Sequence, residues 1–295
     1  MNYLRKCMLC PRNCGVDRYL KKGYCKAGSK IKIALASLHK YEEPFISGKN
    51  GSGTIFFSNC NLGCVFCQNK KISDGFGKEI TIKRFCEILL EEQSRGAENI
   101  NLVTPTHYVP LIKKGVIKAK NMGLIIPIVY NTSSYENSST IDMMNGLVDI
   151  YLADLKYYNS SLGEKYSNCK DYFKYASLAI DTMYKQVGKI ITYNNMLKKG
   201  VVVRVLVLPG EVEDSKKIIK YLYDKYKDNI WISIMNQYTP VNKTKYSNLN
   251  RKLSEEEYNE VVNYAVDLGV KNAFIQEGGA ASDSFIPKFN LKNVK

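Results

Sequence analysis

Cys60, Cys64 and Cys67, spaced Cys-x3-Cys-x2-Cys, are the residues of this chain best suited to unusual chemistry. Thiolates are the usual protein ligands of an iron–sulfur cubane, and a full set is four. Three close thiolates leave one iron open, and open coordination positions mark catalytic rather than structural metal sites. Gly63 lets the loop turn tightly. Phe66, just before the third cysteine, offers an aromatic face to a bound base. A structural zinc or ferredoxin-type site is the plainer reading of the same thiols.

A second set, Cys7, Cys10, Cys14 and Cys25, is spaced Cys-x2-Cys-x3-Cys-x10-Cys. Four thiolates complete either a tetrahedral zinc site or a fully ligated iron–sulfur cluster, and spacing does not separate the two. Cys86 and Cys169 read as ordinary small residues of helices. The first ten residues are charged and do not resemble a signal peptide, and no apolar run approaches the roughly 18 residues of a membrane span. A cytoplasmic protein without a membrane partner is expected. Thiols clustered in a reducing compartment bind metal more readily than they pair. The 43 Lys and Arg exceed the 28 Asp and Glu by 15, but the lysines come in scattered pairs, as on a solvated surface. Nucleic acid is therefore not the expected partner.

As for the elements that must position these residues, 1–50 reads as a small cysteine-rich metal-binding lobe, since so short a segment buries little core without a clip. Residues 51–295 alternate apolar runs (54–58, 100–104, 125–130, 149–154, 201–208, 230–235 and 272–276) with segments of helical spacing. Thr81 is placed to cap one helix and Gly96 to end it. Ser254 and Glu257 form a capping box before another, which Gly269 stops. Such repetition predicts an α/β fold: a partial (β/α) TIM-type barrel of six to seven parallel strands. Function then gathers after the strands' C-terminal ends. Those positions hold the cysteine loop, Thr104-Pro105-Thr106-His107, Asn131-Thr132-Ser133, Asp154-Leu155-Lys156, Gln237 and Glu277-Gly278-Gly279. Arg204, inside the fifth strand, needs an anionic partner if it points inward. His39 has no assigned chemistry.

The stretch Cys60-Asn61-Leu62-Gly63-Cys64-Val65-Phe66-Cys67 resembles the signature loop of the radical SAM superfamily. The resemblance extends to the branch related to pyruvate formate-lyase activating enzyme (the PflX-like group). It is carried by Gly51-Ser52-Gly53-Thr54-Ile55-Phe56-Phe57, Asn101 to His107, Asp149 to Lys156, Val203 to Gly210 and Met235 to Pro240. It implies a [4Fe–4S] cluster on Cys60, Cys64 and Cys67, with S-adenosylmethionine (SAM) on its open iron. Reductive cleavage would then yield a 5′-deoxyadenosyl radical that abstracts hydrogen. Asp154 and Lys156 match the Asp and Lys that hold SAM. Phe66, Thr104, Thr106, His107, Asn131, Ser133, Arg204 and Gln237 complete the expected SAM contacts. The implied partners are a protein or peptide substrate, a glycyl radical enzyme among them, and reduced flavodoxin or ferredoxin. The chain departs from the activases at Val103-Thr104-Pro105-Thr106-His107, where they carry Gly-Gly-Glu, and at Gln237-Tyr238-Thr239, where they carry Pro-Tyr-His. Two other readings are radical modification of RNA and a non-catalytic iron–sulfur or zinc scaffold.

Overall fold

The computed structural model describes residues 3–276 and 287–295. The Glu277-Gly278-Gly279 loop lies outside the described residues. The strands are β1 (Ile31–His39), β2 (Ser52–Phe57), β3 (Lys78–Ile80), β4 (Ile100–Val103), β5 (Ile128–Thr132), β6 (Ile150–Asp154), β7 (Ile191–Tyr193), β8 (Met196–Leu206), β9 (Trp231–Met235) and β10 (Ala273–Ile275). The helices are α1 (Pro44–Ser47), α2 (Lys70–Ser73), α3 (Ile82–Ser94), α4 (Val109–Asn121), α5 (Ser138–Asp142), α6 (Ser160–Ser167), α7 (Tyr172–Val187), α8 (Val212–Tyr226) and α9 (Glu255–Asp267).

Seven strands run parallel in the order β10-β9-β8-β6-β5-β4-β2, and β1 and β3 extend the sheet antiparallel beyond β2. The parallel set matches the expected strand count. The helix signals hold too: Thr81 Oγ1 accepts from the Arg84 amide at 3.1 Å, and Ser254 and Glu257 form the capping box of α9. β5 starts three residues later than its apolar run, because Pro127 has no amide to donate and Ile125 is exposed. β8 starts earlier, since β7 folds back on it through Asn194 and Asn195, both at positive φ. Two such residues make the primed turn that suits hairpin twist.

Alternation along the strands sorts the side chains. Tyr130, Tyr151, Val201 and Val203 face the helices in the main core, while Val129, Ile150, Leu152 and Val202 face the inside of the curved sheet. Farther along the same inner files come Asn131, Asp154 and Arg204, so the interior changes from apolar to charged toward the C-terminal ends. The apolar end is filled by the chain itself. Ile46 of α1 is fully buried against Val129, Ile150, Leu152 and Val202, and the Phe45 ring stacks on Trp231 at 4.9 Å. Residues 31–47 therefore belong to the sheet and its interior, not to a separate lobe ending near residue 50. Within residues 3–47 it is the segment before β1 that stands outside the sheet. Its apolar side chains are too few to close a core of their own, so Leu4, Cys7 and Leu9 pack against Leu111 and Met143.

Among the described residues no helix is long and apolar enough to cross a membrane. Truncating the plug, Ile46→Ala, is expected to lower the unfolding free energy by about 3 kcal/mol in urea titration. A loss under about 1 kcal/mol would mean that α1 merely rests against the opening.

Candidate functional site

The cysteine loop leaves β2 at Ser58 and Asn59, the latter at φ +78°. The Leu62 amide donates to Cys60 Sγ at 3.4 Å, and the Val65 amide donates to the Tyr166 carbonyl at 2.9 Å. Ser167 Oγ lies 3.2 Å from Cys64 Sγ as its donor and 2.7 Å from the Tyr157 hydroxyl. Phe66 is packed edge-on against the rings of Tyr166 and Tyr238 at 6.3 and 6.1 Å. The loop is thus held by main-chain bonds on one side and aromatic packing on the other.

All three cysteines line one cavity of about 260 Å³. Phe66, Thr104, Asn131, Ser133, Asp154, Lys156, Arg204 and Gln237 line it too, so eight of the ten expected ligand contacts converge there with the thiols. Thr106 and His107 do not. Directly after Pro105 the chain enters a single 3-10 turn, Thr106–Tyr108, which carries both side chains away from the cavity. Thr106 Oγ1 donates to Glu136 at 2.6 Å, and His107 Nε2 lies 2.8 Å from the Ser58 carbonyl. Burial drives the His107 imidazole down to about 3, so it stays neutral. Thr104 sits at φ +59°, a costly conformation for a β-branched residue.

An ionic network forms the inner wall. Asp154 accepts from Arg204 Nε and Lys156 Nζ, both at 2.7 Å. Arg204 also reaches Glu42 at 3.2 Å and Asn131 Oδ1 at 2.7 Å, and Asn101 donates to Glu42 at 2.9 Å. Burial alone would raise Asp154, but Arg204 and Lys156 together hold it below the usual carboxylate range. Desolvation opposes the Lys156 charge, yet Asp154 and Cys64 outweigh it and raise its pKa. Glu42 and the buried Glu43 go the other way: burial raises both, with Arg204 only partly opposing. Glu42 escaped the sequence reading because it comes from the irregular segment before α1, 162 residues from its partner Arg204.

No protein-family profile matches the chain. It is 31% identical over 278 residues to the uncharacterized protein MJ0674 of Methanocaldococcus jannaschii, covering 90% of this chain and 75% of that one. In structure it is similar to SuiB of Streptococcus suis bound to precursor peptide SuiA (TM-score 0.51, 17% identity), covering 74% of this chain and 46% of that one. It is also similar to anSMEcpe with bound AdoMet (TM-score 0.51, 15% identity), covering 79% of this chain and 62% of that one. The chain belongs to the family of MJ0674, and its fold is that of the radical SAM superfamily. It spans only about half the length of SuiB.

On this radical SAM fold the donor set after β2 is soft and closely spaced. Burial drives the Cys67 thiol up to about 12, with Cys64 and Cys60 adding to the effect, so thiolates here need a cation to form. Lys156 is a protein charge that favours the Cys64 thiolate. Among the described residues no three Cys, His, Asp or Glu side chains are drawn together as a metal-holding group. In donor chemistry and shared cavity, the three cysteines fit a cluster with one open iron. Cys7, Cys10 and Cys25 are buried and Cys14 is exposed. Cys25 and Cys7 each help to raise the Cys10 thiol, and Cys7 and Cys14 help to raise that of Cys25.

Beneath the cavity wall lies a second carboxylate that the sequence reading missed. Glu136 is buried, and it accepts from Thr106 and Thr132 at 2.6 Å and from Tyr130 at 3.2 Å. Its other oxygen has no partner, and burial raises its pKa to about 7. A carboxyl raised on folding contributes stability below its unfolded value near 4.5 and loses it as pH rises through about 7. Between pH 5 and 8 the wild type should therefore lose up to roughly 3 kcal/mol relative to Glu136→Gln. Unfolding both proteins across that range would show it; a constant difference would refute it.

Proposed function

We propose that this protein cleaves SAM reductively and directs the resulting radical to a protein or peptide substrate. The observation that carries the reading is convergence: three thiols of one loop share a cavity with the paired charges of Asp154, Lys156 and Arg204. When bound, a [4Fe–4S] cluster on Cys60, Cys64 and Cys67 supplies the electron that breaks a sulfur–carbon bond of SAM. The chain's own groups do the rest. Lys156 offers an ammonium to the SAM carboxylate, and Asp154 a carboxylate to its amino group. Arg204 keeps Asp154 ionised and fixed while both await a ligand. Phe66, braced by Tyr166 and Tyr238, presents a ring to the adenine. The buried wall excludes water from a reactive radical.

A peptide-like substrate is supported by SuiB, which is bound to a precursor peptide, and by anSMEcpe, which is bound to the Kp18Cys peptide. The sequence resemblance adds a glycyl radical enzyme as one such substrate. The departures at Thr104-Pro105-Thr106 and Gln237-Tyr238-Thr239 favour a different protein. Reduced flavodoxin or ferredoxin is the electron donor of this reading, and a net charge of +15 suits docking of an acidic donor. The four N-terminal thiols hold a second metal, zinc or an iron–sulfur cluster.

Anaerobic reconstitution with iron and sulfide, followed by dithionite and SAM, should release 5′-deoxyadenosine detectable by chromatography. Cys64→Ala should release none. Lys156→Met should keep the cluster spectrum but raise the KM for SAM about 10- to 100-fold, the worth of one charged hydrogen bond. A wild type with an intact cluster and no deoxyadenosine, even with candidate peptides added, would sink the proposal.

A further inference from the structure

Arg12 lies in the turn between Cys10 and Cys14, yet its guanidinium is spent on the other cysteine loop. Its Nε donates to the Asn61 carbonyl at 3.1 Å and one terminal nitrogen to the Leu62 carbonyl at 3.1 Å. The same group donates to the carbonyls of Ser167 at 3.1 Å and Asn168 at 2.6 Å. Four main-chain carbonyls on two segments are thus held by one planar fork, which a lysine could not match. Ser167 and Asn168 end α6, where orphaned carbonyls and the negative end of the helix dipole favour a cation. The guanidinium also lies 3.8 Å over the Tyr24 ring, whose hydroxyl donates to the same Leu62 carbonyl at 3.3 Å.

The turn that carries Arg12 is itself anchored to the barrel. Thr140 Oγ1 donates to the Leu9 carbonyl at 2.7 Å, and Asn137 Nδ2 donates to the Met8 carbonyl at 2.8 Å. At the far end, Ser167, whose carbonyl Arg12 holds, donates its hydroxyl to Cys64 Sγ. Arg12 therefore braces both the loop between Cys60 and Cys64 and the residue that hydrogen-bonds a thiol of that loop.

We propose that Arg12 is a positioning residue for the cluster: it retains the cluster by holding the loop, and its fixed charge favours the reduced state. This rests on the reading of Cys60, Cys64 and Cys67 as cluster ligands. Partners that orient metal ligands typically govern affinity by about 10- to 100-fold. Reduction adds one negative charge, which a guanidinium bonded to the Asn61 and Leu62 carbonyls within the loop would stabilise, and hydrogen bonds to the sulfurs act in the same direction.

The test uses the reconstituted full chain as wild type, Arg12→Lys and Arg12→Gln. Cluster loss to a chelator would be followed by visible absorbance, and midpoint potential by EPR titration. Both variants should lose the cluster about 10- to 100-fold faster. Only Arg12→Gln should also shift the potential negative, because lysine keeps the charge. Tyr24→Leu, which removes the stacking ring and leaves Arg12 in place, should lie between wild type and Arg12→Lys in cluster loss. It guards against an Arg12 variant that fails to fold, which circular dichroism would reveal. Variants that unfold more easily yet match the wild type in cluster loss and potential would reduce Arg12 to a tie for the N-terminal segment and overturn the proposal. A wild type that takes up no cluster would instead overturn the reading on which it rests.

Discussion

A guanidinium pointing inward from a parallel sheet must find its anions inside the protein, and Arg204 imposes that demand on everything around it. Asp154 answers from the neighbouring strand and Glu42 from the segment that fills the sheet's concave side, while the neutral Asn131 amide oxygen accepts a further hydrogen bond from the strand beyond. Taking Asp154 or Arg204 away would strand a buried charge, a far larger penalty than the pair's own net contribution. The register of β5, β6 and β8, the path of residues 40–47 and the ionised state of Asp154 are therefore one coupled arrangement. Lys156 joins it through Asp154 and so reaches the thiol loop.

Much of this was legible in the sequence, for reasons that separate cleanly. Parallel strands buried on both faces read as uninterrupted apolar runs, so the strands were found, and the residues just beyond their ends were found with them. Asp154, Lys156, Asn131 and the three cysteines stand where that rule puts them. The rule marks positions along the chain and not side-chain directions, which is why Thr106 and His107 were misread. One 3-10 turn is enough to swing them from the cavity to Glu136 and the Ser58 carbonyl. Arg204 was read correctly as needing an anion, but its nearest anions are the protein's own.

The misses share one cause, contact between segments far apart in sequence and without periodicity. Glu42 and Ile46 belong to an irregular stretch whose role appears only once β5, β6 and β8 curve around it. Glu136 follows a strand by a few residues, but it is buried because Thr106, Tyr130 and Thr132 all donate to it. The Asn194-Asn195 hairpin turn did have a local signal, two adjacent residues tolerant of positive φ.

The N-terminal segment, with its own cysteines, is fastened to the rest of the chain by arginines as well as by the Thr140 and Asn137 bonds and the packing of Leu4, Cys7 and Leu9. Arg12 holds the thiol loop, and Arg18 bonds the His107 carbonyl while its bond to the Gly28 carbonyl stays within the segment. Both reach main-chain oxygens, so their part of the fastening depends little on which side chains the barrel presents there.

The plug at the base of the sheet has one more consequence. Because Ile46 packs on Val129, Ile150, Leu152 and Val202, the charged groups of Arg204, Asp154 and Glu42 rest on a floor of apolar side chains that the chain supplies itself.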